Sequence, residues 1–105
     1  MARLSTHVLD TAHGRPAAGV CIRLIDAKRL VLAEMTTDAD GRSAYPAELP
    51  AGVYELIFGI GAYFGSQGTP FLNQVVVRFG IEDAAAKYHV PLLVSPYGYT
   101  TYRGS

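Results

Sequence analysis

Two histidines and their neighbours carry the chemistry of this sequence. His7 lies in Leu4-Ser5-Thr6-His7-Val8-Leu9, and His89 in Tyr88-His89-Val90-Pro91-Leu92-Leu93-Val94. Neutral imidazole titrates near physiological pH, so either ring can act as a general base toward water. Both segments alternate with period two, which predicts strands whose successive side chains face opposite ways. Leu4, Thr6 and Val8 make the better core face of the first segment, so His7, with Ser5 and Leu9, points outward. Val90, Leu92 and Val94 do the same in the second, leaving His89, Pro91 and Leu93 on the outward face. Taken alone, His7 reads as an exposed strand histidine without a role. An outward face carrying Leu9, Pro91 and Leu93 is apolar for a solvated surface, and such patches mark an interface or a binding groove.

Other residues give weaker signals. Asp38-x-Asp40-Gly41 lacks a third alternating ligand, a well-placed closing glutamate and flanking helices, so it reads as a tight Asp-Gly turn rather than a calcium loop. Cys21 alternates within a strand, with Arg23 on its side, and reads as a packed strand residue. His13, in a Gly- and Pro-rich connection, reads as solvated, and a three-histidine zinc site finds little support. No Gly-x-Ser-x-Gly elbow and no phosphate loop is present. The final stretch, Tyr97-Gly98-Tyr99-Thr100-Thr101-Tyr102-Arg103-Gly104-Ser105, keeps a strand-like pattern to its last residue, where most termini fray.

The elements that must position these groups are short strands. Leu4–Leu9 is followed by a turn-rich connection, Asp10–Gly19. Further strands are predicted at Val20–Asp26, Leu30–Thr36, from Arg42 onward, at Gly52–Ile60 and at Gln74–Phe79. A closing pair, Tyr88–Ser95 and Tyr97–Arg103, flanks Pro96. Strands at this spacing predict an all-β sandwich or barrel. Gly61–Pro70 fits either a short helix ended by glycine or a plain loop.

A chain of 105 residues predicts one domain, residues 1–105, too small for a deep private pocket. Nine Lys and Arg balance nine Asp and Glu, which argues against a partner that is nucleic acid. One cysteine excludes an intrachain disulfide framework and a thiolate zinc site. The first residues have no apolar signal core, and no run is apolar enough to span a membrane. A cytoplasmic protein without membrane contact is the expectation.

The segments Leu4–Asp10, Gly14-Arg15-Pro16-Ala17, Asp40-Gly41-Arg42, Tyr88–Leu93 and the terminal Tyr102-Arg103-Gly104-Ser105 together resemble the 5-hydroxyisourate hydrolases, the transthyretin-related enzymes of urate breakdown. The resemblance covers nearly the whole chain. It implies a transthyretin-like sandwich of two four-stranded sheets, seven to eight strands in all, with one short helix starting in Ala62–Gly65. It also implies a homotetramer whose paired outward faces enclose the active sites, which would answer the size problem of a lone protomer.

The implied catalytic residues are His7, Arg42 and His89, and the implied substrate-binding residues are Tyr102, Arg103, Gly104 and Ser105. No metal and no cofactor is implied. On that reading one histidine activates water and the other is its proton partner or orienter. His7 is the favoured activator, and the sequence leaves the reverse order open. Arg42 and Arg103 offer donors to the ring carbonyls and the oxyanion. Two rival readings are a transthyretin-like carrier of thyroid hormone and an adhesion-type sandwich that binds a partner through its apolar face. Neither needs two histidines and an arginine on that face.

Overall fold

The alternating stretches fold as strands in a computed structural model that describes residues 1–65 and 67–105. Nine strands and one helix occur among the described residues: β1 (Arg3–Asp10), β2 (Arg15–Pro16), β3 (Cys21–Asp26), β4 (Val31–Thr36), β5 (Arg42–Ala44), β6 (Gly52–Phe58), α1 (Ile60–Phe64), β7 (Val75–Ile81), β8 (Lys87–Val94) and β9 (Tyr99–Thr101). They form two sheets. One has the order β4-β3-β6-β7; the other has the order β2-β1-β8-β9, with β5 also paired to β1.

The second sheet differs from the expected four strands because one edge of β1 carries two short partners in tandem. β5 pairs Ser5 to His7, and β2 pairs Leu9 and Asp10. β2 lies inside the stretch expected to be a connection. Gly14, at φ +65, supplies the left-handed backbone that lets the chain fold back onto β1.

The two sheets bury a common apolar core. Leu4 and Val8 of β1 and Leu92 and Val94 of β8 pack in a cluster with Ile22 and Leu24 of β3, Leu56 and Phe58 of β6, and Ile60 of α1. Every second residue of β1 and β8 is inward, as period two requires. Thr6 is buried on that face, and its hydroxyl donates to the Val90 carbonyl at 2.6 Å. Asp10 is buried too. It accepts hydrogen bonds from the His13 ring at 2.7 Å and from Tyr63 at 2.8 Å, tying the end of β1 to the first connection and to α1. Burial would raise the Asp10 carboxyl, but bonds from His13 and Tyr63 hold it below the ordinary carboxylate range. His13, expected to be simply solvated, is therefore anchored by one ring nitrogen.

α1 begins two residues before the stretch implied for it and ends as expected at Gly65, which adopts the left-handed conformation at φ 64. Ser66, in the stretch left open between helix and loop, lies outside the described residues.

β1 and β8 are parallel, an exception among otherwise antiparallel pairs, with Ser5 opposite His89 and His7 opposite Pro91. β8 lies inside its sheet, where a proline is normally excluded. The direction of its backbone groups explains the tolerance. The His89 carbonyl accepts from the Gly104 amide at 2.8 Å, and the Pro91 carbonyl accepts from the Thr101 hydroxyl at 2.7 Å. Residues 89 and 91 thus address the last strand, while the Val90 carbonyl addresses β1. The missing Pro91 N–H costs the ladder only on its weak side. β9 accordingly stops at Thr101, short of the expected Arg103, and pairing resumes as one bridge between His89 and Gly104.

Candidate active site

The pairings place the outward residues in two rows. Arg42, His7 and Pro91 are register partners in one row; Ala44, Ser5, His89 and Gly104 are partners in the next. His7 and His89 are therefore diagonal neighbours on one face, though 82 positions apart in the chain. A cleft of about 400 Å³ opens there, lined by Ser5, Asp38, Arg42, Ala44, His89 and Ser105 among others.

Arg42 is set by the turn before β5. Gly41 has φ +75, and a Cβ there would collide with the Val8 carbonyl oxygen, so only glycine allows the turn to close on β1. The Asp38 carboxylate caps the same turn, accepting from the backbone amides of Asp40 at 2.9 Å and Arg42 at 3.0 Å. The bond from the Arg42 amide is the main reason its carboxyl lies below the usual range. The turn expected from Asp38-x-Asp40-Gly41 is thus present, and it does more than reverse the chain. Its Asp40 carbonyl accepts a hydrogen bond from Nε2 of His7 at 2.8 Å. A carbonyl cannot donate, so His7 holds a proton on Nε2.

His89 is held differently. Its Nδ1 lies 2.8 Å from the Ser5 hydroxyl. Gly104 packs against the opposite edge of the ring, where an added Cβ would fall 2.6 Å from Cδ2. Burial, followed by the charges of His7 and Arg42, pushes the His89 imidazole below its ordinary value. At neutral pH it is mainly the free base, with Nε2 unclaimed by the protein among the described residues.

Seven residues were expected at the site. Arg42, His89 and Ser105 line the cleft, with His7 beside Arg42 and Gly104 beside His89. Arg103 is not brought there by its own protomer. It stacks 4.2 Å over the Tyr88 ring and donates to the Lys87 carbonyl at 3.2 Å. Arg103 lies between the end of β9 and the isolated Gly104 bridge, and there its side chain turns to Tyr88. Tyr102 is 57% exposed and borders, with Arg103, a second hollow of about 300 Å³ lined by Val77, Phe79, Tyr88 and Val90. Ser5 and Asp38 were not expected. Ser5 was legible as a neighbour of His7 on the outward face, but nothing local in the sequence pairs it with His89.

The family model for the HIUase/Transthyretin family matches residues 4–104. The chain belongs to this family. It is 52% identical to the 5-hydroxyisourate hydrolase of Mesorhizobium japonicum over 115 residues, covering 98% of this chain and 92% of that protein. The structure of Klebsiella pneumoniae 5-hydroxyisourate hydrolase superimposes with a TM-score of 0.88 at 39% identity, covering 100% of both chains. Sea bream transthyretin in complex with thyroxine gives a TM-score of 0.84 at 32% identity, covering 96% of this chain and 93% of that one. The transthyretin-like sandwich is therefore common to 5-hydroxyisourate hydrolases and a transthyretin that binds thyroxine, and the fold does not separate them. Sequence does: within the HIUase/Transthyretin family this chain is a hydrolase.

Proposed function

We propose that the protein hydrolyses 5-hydroxyisourate to 2-oxo-4-hydroxy-4-carboxy-5-ureidoimidazoline in urate breakdown. The observation that carries this reading is the His89 imidazole, kept neutral and turned by Ser5 so that Nε2 is free, beside Arg42 on an outward cleft. Nε2 of His89 takes a proton from water as the oxygen attacks the lactam carbonyl carbon. Arg42 receives the developing oxyanion. As the carbonyl reforms, the C–N bond breaks and the nitrogen takes the proton back from His89. The net change is one water added across one amide bond.

His89 here takes the role that the sequence reading favoured for His7. His7 Nε2 is committed to the Asp40 carbonyl, and its charge acts on His89. General base action contributes about 10²–10⁴-fold and an oxyanion donor about 10²–10³-fold, enough for a labile ring without a metal or cofactor. Ser105, and Tyr102 with Arg103 from a neighbouring subunit, would complete the substrate pocket.

The working form on this reading is a homotetramer in the cytoplasm. Leu9 and Leu93 are register partners on the outward face, half-buried and next to the site, and a second copy would cover them.

The test is the absorbance decay of freshly generated 5-hydroxyisourate. Wild type should accelerate it, and His89→Ala should remove most of the acceleration, about 10²-fold or more. Wild-type rates from both His89→Ala and His7→Ala would end the assignment. A thyroxine titration addresses the carrier reading, and no binding is expected.

A further inference from the structure

We propose that Ser5 is a positioning residue for His89: its hydroxyl engages Nδ1 and so fixes Nε2 as the nitrogen that exchanges protons in the cleft. The proposal deepens the reading of His89 as proton acceptor and rests on it. Ser5 and His89 are direct partners in the parallel β1–β8 register, so their side chains leave the same face of the sheet one strand spacing apart. The Ser5 Oγ to His89 Nδ1 distance is 2.8 Å, a full hydrogen bond.

The rest of the row is built to keep the ring in that pose. Ala44 on one side and Gly104 on the other are small, leaving His89 as its only bulky member. The Gly104 backbone lies against Cδ2, the ring edge opposite Nδ1. A flipped ring would lose the hydroxyl and press a polar nitrogen against that backbone.

The chemical consequence follows from what a hydroxyl can do. A serine hydroxyl can donate to or accept from an imidazole nitrogen; in the proposed arrangement Oγ accepts from Nδ1–H, which leaves the Nε2 lone pair for water. When His89 becomes the imidazolium, Nδ1–H keeps the same acceptor, so the bond serves both protonation states. The contrast is His7, whose proton is held on Nε2 by the Asp40 carbonyl. In that arrangement the two rings present opposite nitrogens, His7 with its proton on Nε2 and His89 with its lone pair there.

The test uses Ser5→Ala and Ser5→Thr in the full chain, with two readouts. Imidazole 15N shifts of the resting protein, above the His89 titration, should show the Nδ1–H tautomer in wild type and in Ser5→Thr. In Ser5→Ala they should move toward Nε2–H. In steady-state assays Ser5→Ala should lower kcat roughly tenfold with KM little changed, and Ser5→Thr should restore it. An unchanged tautomer in Ser5→Ala, an unchanged kcat, or a Ser5→Thr protein as slow as Ser5→Ala would each overturn the proposal. An active His89→Ala would strike the functional reading, and with it the catalytic half of the proposal. The tautomer readout, taken without substrate, would still decide whether Ser5 holds the ring.

Discussion

The two sheets treat their outward charges in opposite ways. On the β4-β3-β6-β7 sheet, Glu55 pairs with Arg29 at 2.6 Å and with Arg78 at 3.4 Å. On the other sheet, among the described residues, the Arg42 guanidinium has no carboxylate within salt-bridge distance, although Asp38 is nearby. Asp38 spends its acceptor on backbone amides instead. On the first face one carboxylate serves two exposed arginines, Arg29 and Arg78. The other, among the described residues, leaves a guanidinium unpaired beside an imidazole whose basicity is already reduced, first by burial and then by the charges of His7 and Arg42. Uncompensated donors on a surface are poised for a ligand that brings negative charge, as an oxyanion does.

This contrast can be broken in graded steps. The largest effect is expected at Arg42. Arg42→Gln should lower kcat/KM by about 10²–10³-fold, measured by substrate decay, while the exposed position leaves the melting temperature unchanged. An active Arg42→Gln would mean that the free guanidinium is incidental.

Next is Gly104→Ala. Its new Cβ must displace the His89 ring, and a displacement near 1 Å costs up to about 10²-fold in kcat. Gly80→Ala in β7 meets open space and is the control, with activity unchanged and stability within about 0.5 kcal/mol.

The smallest effect is expected from Glu55→Gln on the paired face. Its partners Arg29 and Arg78 are 62% and 64% exposed, so the loss should be at most about 1 kcal/mol by urea unfolding, with no change in kcat/KM.

Much of the candidate site was legible because one of its rules is local. Period two in Leu4–Leu9 and Tyr88–Val94 is enough to turn His7 and His89 outward, and both strands obey it. Gly41 and Gly65 marked a turn and a helix end for equally local reasons. What stayed hidden depends on pairing between distant segments. The Ser5–His89 bond exists because β1 and β8 run parallel in one register, and no stretch of sequence states that register. The role of Asp40 in holding His7 needed the turn to be docked against β1. Arg103 is a further case. The chain leaves β9 after Thr101 and pairs again only at Gly104, and between them Tyr102 and Arg103 border a hollow other than the one that Ser105 lines.

The central claim is that His89, kept neutral by its surroundings, accepts the proton. The most direct measurement is the pH dependence of kcat/KM. A general base works only when deprotonated, so activity should fall on the acid side, with a midpoint below the ordinary imidazole value of 6.5 because the His89 value is lowered. The same lowering means that the unfolded chain binds the proton first, so stability should also decline as pH drops through 6.5 toward the folded value. Arg42→Gln should move the acid limb upward by removing a positive neighbour, and His89→Gln should abolish it along with most of the rate. A His89→Gln enzyme that keeps both the rate and the same acid limb would contradict the account.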